Sequence, residues 1–236
     1  MQIGELIGSG RDADVYALDD GWVVRRNRNG RPLTRETAVM AHVHAHGYPV
    51  PEVRPTGPNA PADLVMRRVD GPTLLEAALA GEIDADGAGA MLAELLIRLH
   101  TVPALGSADS AASAASAGNA DNAADETAIL HLDLHPLNVI LSTDGPMVID
   151  WTNTREDRPA LDWAMSALIL AQVALDGSEL SKPTAELLSS LLPHRPPTIV
   201  LDDAVMARAR AERAADPHAG AQNLDAAVAL VIARAG

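Results

Sequence analysis

Apolar and polar positions change their rhythm near residue 70. Before it, short apolar runs alternate with polar positions and end in turn residues. The run 3–10 closes on Gly8-Ser9-Gly10, 13–18 alternates weakly, and Asp19-Asp20-Gly21 precedes Trp22-Val23-Val24-Arg25-Arg26. Period-two alternation bounded by Gly and Asp predicts strands, and these three runs predict a three-stranded antiparallel sheet. From Thr34 to Gly47, Glu36, Val39, Met40 and Val43 recur at helical spacing, with Gly47 placed to stop the helix. Prolines from Pro49 to Pro61 exclude a helix, and Asp63-Leu64-Val65-Met66 predicts a further strand.

Asp70-Gly71-Pro72 breaks the pattern, and a boundary between two lobes is placed there, with 1–69 on one side and 70–236 on the other. Beyond it the period becomes helical. Helices are predicted over 73–79, 86–101, 160–175, 184–192, 201–214 and 223–235, with Met91, Leu92, Leu95, Leu96 and Leu99 on one face of the second. Residues 106–126 are Ala, Ser, Asn and Asp with almost nothing large to bury, which predicts a mobile low-complexity loop without chemistry. No internal repeat is present.

Composition narrows the function classes. With no cysteine among 236 residues there is no thiolate nucleophile, zinc ribbon or iron–sulfur cluster, and any metal must be held by carboxylates, amides or imidazoles. The formal net charge of -14 argues against a nucleic-acid partner, because a phosphate backbone rewards clustered Lys and Arg. It suits either simple solubility or a cationic substrate. The apolar stretch 160–175 is interrupted by Asp162 and Gln172 and is shorter than the roughly 20 residues that span a bilayer, so it predicts a buried helix rather than a membrane anchor. The start carries Glu5, Arg11, Asp12 and Asp14 and lacks the apolar stretch of a secretory signal, which predicts a cytoplasmic protein.

The densest chemistry lies in His131-Leu132-Asp133-Leu134-His135-Pro136-Leu137-Asn138, directly before the apolar strand Val139-Ile140-Leu141. Ser142-Thr143-Asp144-Gly145-Pro146 is turn chemistry, and Met147-Val148-Ile149 is a second strand ending at Asp150. If 141 opposes 147, Asn138 and Asp150 sit side by side at the open end of the hairpin, about 5 Å apart. An amide oxygen and a carboxylate so placed are hard ligands suited to Mg²⁺, with Asp133 within one loop's reach. A different reading takes His131, Asp133 and His135, on one face of a strand, as the metal cluster of a hydrolase. Pro136 would end that strand, and Asn138 and Asp150 would have no role in it. A third reading leaves the polar residues as turn-formers beside a buried hairpin.

The wording His131-x-Asp133, His135-Pro136, Asn138 and Ile149-Asp150-Trp151 resembles the aminoglycoside phosphotransferase and choline kinase branch of the protein-kinase-like fold. The resemblance runs from about Ile3 to Ala171. It implies an α+β, bilobal protein-kinase-like fold: a small N-terminal antiparallel sheet with one helix, and a larger, mainly helical C-terminal lobe holding the catalytic and acceptor-binding parts. It further implies a kinase that moves the γ-phosphoryl group of ATP, or GTP, to a hydroxyl of a small acceptor. Asp133 would be the base, and Asn138 and Asp150 would hold Mg²⁺. The acidic surface, including Glu156 and Asp157, favours a cationic acceptor such as an aminoglycoside or amino sugar, with no nucleic-acid or membrane partner.

Within the first lobe, Gly8-Ser9-Gly10-Arg11-Asp12-Ala13 resembles a phosphate-covering loop, and Met66 to Val69, with Arg68, would be the connection whose backbone meets the purine. The lysine expected on the third strand is missing, since Lys182 is the only lysine. Arginine must replace it, and alternation lets only one of Arg25 and Arg26 face the nucleotide. Matching the end of the strand favours Arg26, paired with Glu36. Leu132 stands where this branch commonly has Gly, and would be strained if the position required positive φ. Pro159-Ala160-Leu161-Asp162-Trp163-Ala164 resembles the segment whose Asp caps a helix and braces the catalytic loop. The missing lysine also leaves a rival open: a pseudokinase that binds nucleotide or a partner without turnover.

Overall fold

Antiparallel pairing organises the N-terminal third. The computed structural model describes residues 3–10, 12–56, 60–105, 127–216 and 222–236. The predicted loop 106–126 and Arg11 of the Gly-rich turn lie outside the described residues. The chain forms two compact units, residues 1–72 with 140–152, and residues 73–139 with 153–236.

In the first unit, β1 (Leu6–Ser9), β2 (Ala13–Ala17), β3 (Trp22–Asn27), β4 (Val53–Arg54) and β5 (Asp63–Arg67) form one sheet in the order β1-β2-β3-β5-β4. The sheet therefore has five strands where the first three runs predicted three. The added edge strand, β4, is two residues long and lies in the proline-rich segment, where Pro is tolerated only at an edge. Alternation puts Trp22, Val24 and Val65 into one apolar cluster with Ile3, Tyr16 and Leu18. The guanidinium carbons of Arg54 and Arg67 lie 3.6 and 4.7 Å from the Trp22 ring centre, capping that cluster through cation–π contact. Helix α1 (Thr34–Ala45) ends before Gly47, whose φ of 76° lets the chain turn away.

The hairpin β7 (Val139–Ser142) and β8 (Gly145–Val148) is tied to this unit by two backbone bonds, Leu141 N–H to Pro72 O and Val148 N–H to Pro49 O, both 2.8 Å. Gly71 makes the first one feasible. Its φ is 148°, and a Cβ there would lie 2.1 Å from the Leu141 carbonyl oxygen. The breaker read from sequence is thus a point of close backbone approach.

The second unit is helical around a short ladder. Helices α2 (Leu74–Leu79) and α3 (Ala85–His100) start at Thr73 and Asp84, whose side chains accept from the backbone N–H of Glu76 and Gly87. Strand β6 (Ala128–Leu130) pairs with β9 (Arg155–Asp157), a polar run with no apolar alternation to reveal it in the sequence. Helix α4 (Pro159–Ala174) is buried on nearly every side, and α5 (Ser181–Leu191), α6 (Asp203–Ala215) and α7 (Leu224–Ala235) pack against it. That encirclement explains its continuous apolar sequence. Among the described residues no helix is long and apolar enough to cross a membrane.

Replacing Gly71 with Ala forces either the backbone or the hairpin to move, and we expect a loss of about 2 kcal/mol or more in urea unfolding. Gly145→Ala is the control: φ is 111° but nothing lies within 4 Å of its Cβ position, so only conformational strain is added. Equal losses for the two variants would contradict the close-approach explanation.

Candidate active site

The chemistry-bearing residues form one cluster in each unit. In the first, β1 and β2 are joined by a tight turn in which Gly10 N–H donates to Ala13 O at 2.9 Å. The turn is clamped from the side. Ser9 Oγ donates to Asp14 Oδ1 at 2.8 Å, and Arg28 Nη2 reaches both groups at 2.5 Å. Hydrogen bonds from Arg28 and Ser9 hold the Asp14 carboxyl down at about 2, so the clamp is charged throughout the physiological range. Gly8 pairs with Val15 and Ser9 with Asp14 across the two strands.

Arg25 and Arg26 point to opposite faces of β3. Arg25 Nη1 donates to Glu36 Oε1 of α1 at 2.5 Å, and its Nη2 reaches Thr152 Oγ1 at 2.8 Å and Asp150 Oδ1 at 3.3 Å. Arg26 instead makes a two-pronged pair with Asp63, both bonds 2.7 Å. The expected pairing of Arg26 with Glu36 is therefore corrected: Arg25 is the partner of Glu36. The reason is register, because the β3–β5 ladder sets Asp63 directly opposite Arg26 and so commits that arginine to the other face. Burial pushes the Glu36 carboxyl up and Arg25 works against it. Asp150 has φ of 61°, a conformation Asp tolerates, and its Oδ1 also accepts from Thr152 Oγ1 at 2.7 Å. Its Oδ2 has no partner among the described residues, and the side chain is 45% exposed.

Met66 lies in β5 opposite Val23 and Val53. The backbone N–H groups of Arg67 and Arg68 are spent on Glu52 O and Gly21 O, and the Arg68 side chain forms an exposed pair with Asp70 at 2.8 Å.

In the second unit, β6 ends at Leu130 and the chain leaves the strand before Asp133. The hydrolase reading needed a strand through His135, and among the described residues no group of three or more His, Asp or Glu is placed to hold a metal. Leu132 does have positive φ, 64°. Two features offset the strain, which is about 1–2 kcal/mol for an L-residue. Its side chain is buried to 4% exposure. Its N–H donates to Asp162 Oδ1 at 2.7 Å, while the His131 N–H and the His100 ring bind Oδ2 at 3.0 Å each. Asp162 sits inside α4, whose N-cap is Arg158, so it braces the loop as expected but does not cap its helix. Complete burial pushes its carboxyl up, yet His100 and the backbone donors outweigh that and hold it below the usual carboxylate range.

This brace aims Asp133, which is partly exposed. The Asp133 N–H donates to His131 Nδ1 at 3.3 Å. Its carboxylate has Asn138 Nδ2 at 3.4 Å, His135 Nε2 at 3.6 Å and Arg213 Nη1 at 3.9 Å. Asn138 is buried in the short 3₁₀ turn Pro136–Asn138 and donates from Nδ2 to Asp133 O at 2.9 Å, which leaves its amide oxygen without a partner among the described residues.

A model of the phosphotransferase enzyme family (APH) matches residues 3–119 and 111–181, which is well over half of the chain. The chain belongs to the phosphotransferase enzyme family. No curated protein sequence matches it significantly. Solved structures similar to it include a choline/ethanolamine kinase family protein from Mesorhizobium loti (15% identity, TM-score 0.53, covering 100% of this chain and 93% of that one). They also include aminoglycoside phosphotransferase APH(4)-Ia (16%, 0.54, 99% and 94%) and the gentamicin complex of APH(2'')-IIa (14%, 0.56, 99% and 89%). The fold is thus protein-kinase-like, and the family is one of phosphotransferases.

Residues of this phosphotransferase that carried no signal in the sequence are Arg28 with Asp14, and Arg213. Asp63 at the start of a predicted strand was the available hint to the fate of Arg26.

Folding lowers the Asp162 pKa, so its stabilisation is complete above the ordinary carboxylate range and is lost as pH falls through about 4 and below. Asp162→Ala removes the acceptor of three donors and should cost about 3–5 kcal/mol near neutrality. Its unfolding free energy should also fall less steeply than wild type between about pH 5 and 2. Parallel curves would mean that Asp162 does not carry this acid sensitivity.

Proposed function

We propose that the enzyme transfers the γ-phosphoryl group of ATP, or of GTP, to a hydroxyl of a small-molecule acceptor. In this reading residues 1–69 serve the nucleotide, and 70–236 supply the base and the acceptor's site. The observation that supports it most is Asp133: a partly exposed carboxylate, its backbone fixed by a buried charged brace and its oxygens met by polar neighbours at 3.4, 3.6 and 3.9 Å. A general base needs that combination of fixed direction and access.

Asp133 would orient the acceptor O–H and take its proton as the acceptor oxygen bonds to the γ-phosphorus. The bond from that phosphorus to the β,γ-bridging oxygen breaks, and the nucleoside diphosphate leaves. Arg25, held by Glu36, would position the phosphates in place of a lysine, its planar fork offering paired donors to phosphate oxygens. The backbone of Gly8, Ser9 and Gly10 would cover them, and Met66 to Arg68 would border the base. Asn138 and Asp150 are the residues proposed for Mg²⁺: each, taken by itself, keeps an oxygen without a partner among the described residues, of the hard type this ion prefers. Bound there, the ion would neutralise charge on the phosphates. The net charge of -14 favours a cationic acceptor such as an aminoglycoside or amino sugar. The rival reading, a nucleotide-binding module without turnover, rests on the absent lysine; Arg25 answers it by making the pair with Glu36 that such a lysine would make.

Phosphate release from Mg·ATP, screened over aminoglycosides, amino sugars, choline-like alcohols and nucleosides, tests the proposal. Asp133→Asn should lower kcat by at least about 100-fold while nucleotide affinity stays within a few-fold. Survival of turnover in that variant would remove Asp133 as the base. Absence of nucleotide turnover in the wild type would favour the binding module.

Arg25→Gln should raise KM for ATP by on the order of 10- to 100-fold, the value of a lost charged hydrogen bond. Arg26→Gln should leave KM unchanged and lower only the thermal midpoint. A reversed pattern would return the nucleotide role to Arg26.

A further inference from the structure

The carboxylate of Asp133 has a cation beside it that belongs to neither the motif nor the segment of resemblance. Arg213, in the last turn of α6, places Nη1 3.9 Å from Asp133 Oδ1 and 3.5 Å from Asp216 Oδ2. An arginine at a helix C-terminus is ordinarily a partner for the helix dipole, free to swing in solvent. This one is directed elsewhere. Its Nε donates to Gln172 Oε1 on α4 at 2.8 Å, and the side chain is only 18% exposed. The helix that carries it is itself pinned: neighbouring Glu212 takes a two-pronged pair from Arg155 of β9 at 2.7 and 3.1 Å, and Arg208 pairs with Asp157.

We infer that Arg213 is a positioning residue for the base, an inference that rests on Asp133 having that role. A separation of 3.9 Å is that of an ion pair rather than a hydrogen bond. The guanidinium therefore holds the carboxylate by charge without filling the short, directional position that the acceptor hydroxyl must occupy. A short bond from arginine would orient the base equally well but would compete with the acceptor for the same lone pair. Gln172 sets the distance, because the bond at Nε fixes the plane of the guanidinium and keeps Nη1 from closing on Asp133. With Asp133 and Asp216 both beside it, the cluster of three groups retains a net negative charge and does not repel a cationic acceptor.

Three variants and two readouts test this. Arg213→Gln should lower kcat by about 10- to 100-fold, both for the best acceptor of the screen and for Mg·ATP hydrolysis with water as acceptor, with KM for ATP within about 2-fold of wild type. Arg213→Lys, which keeps the charge but not the fork, should recover a substantial part of the loss. Gln172→Leu should give a smaller loss of the same kind. A purely structural role would lower the thermal midpoint and leave kcat of the folded fraction unchanged, with no rescue by lysine. Asp133→Asn run alongside separates the levels. If it abolishes turnover and Arg213→Gln does not, the positioning role is overturned and the base stands. If Asp133→Asn is harmless, or the wild type has no turnover, the phosphotransferase assignments fail and the role of Arg213 fails with them.

Discussion

A single buried carboxylate sets the geometry of the loop that carries Asp133, and the proposed chemistry on the acceptor side depends on it. Asp162 accepts the backbone N–H groups of His131 and Leu132 and the ring of His100, with no exposure of its own. Burying an unpaired carboxylate would cost several kcal/mol, so the site is stable only with its donors in place. That dependence works in both directions. Two charge-assisted bonds, each about 1.5–3 kcal/mol, exceed the roughly 1–2 kcal/mol needed to hold Leu132 in the left-handed region, so the brace dictates the backbone before Asp133 rather than following it.

The same weighing accounts for Leu132 itself. Glycine would adopt φ of 64° without penalty, yet it would contribute no apolar surface. The leucine side chain is almost wholly buried, and burying it contributes about 1.5–3 kcal/mol, which is of the size of the strain it introduces. The chain thus exchanges backbone ease for core packing at one position, and the Asp162 bonds make the exchange tolerable.

What the sequence revealed and what it hid divide along physical lines. Long helices and apolar strands were legible because burial imposes a period, and helix ends fell within a few residues of Gly47, Asp84 and Asp202, where caps operate. The strand β9 was hidden, since Arg-Glu-Asp offers no alternation, and so was β4, two residues among prolines. Adjacent arginines show the limit for a site. Matching the end of β3 alone favours Arg26, and only the strand opposite, which brings Asp63 to face Arg26, shows that Arg25 is the one that meets Glu36. A side chain's direction is then a property of the pair of strands, recoverable from sequence only by guessing the register.

Arg213 illustrates a stronger form of the same limit. Nothing within α6 marks it among Arg208, Arg210 and Arg213, which recur on a helix of ordinary amphipathic character. Its distinction comes from Gln172 on α4, and α4 is also the helix of Asp162. Ten residues at 1.5 Å each separate the two anchors by about 15 Å along one rigid helix. The N-terminal part of that helix fixes the backbone around Asp133, and its C-terminal part fixes a cation against the Asp133 carboxylate. A loop residue aimed by contacts on the loop alone would drift with every fluctuation of the loop. Because both constraints on Asp133 originate in one fully packed helix, its carboxylate inherits the rigidity of the core, which is the condition the proposed role as a base requires.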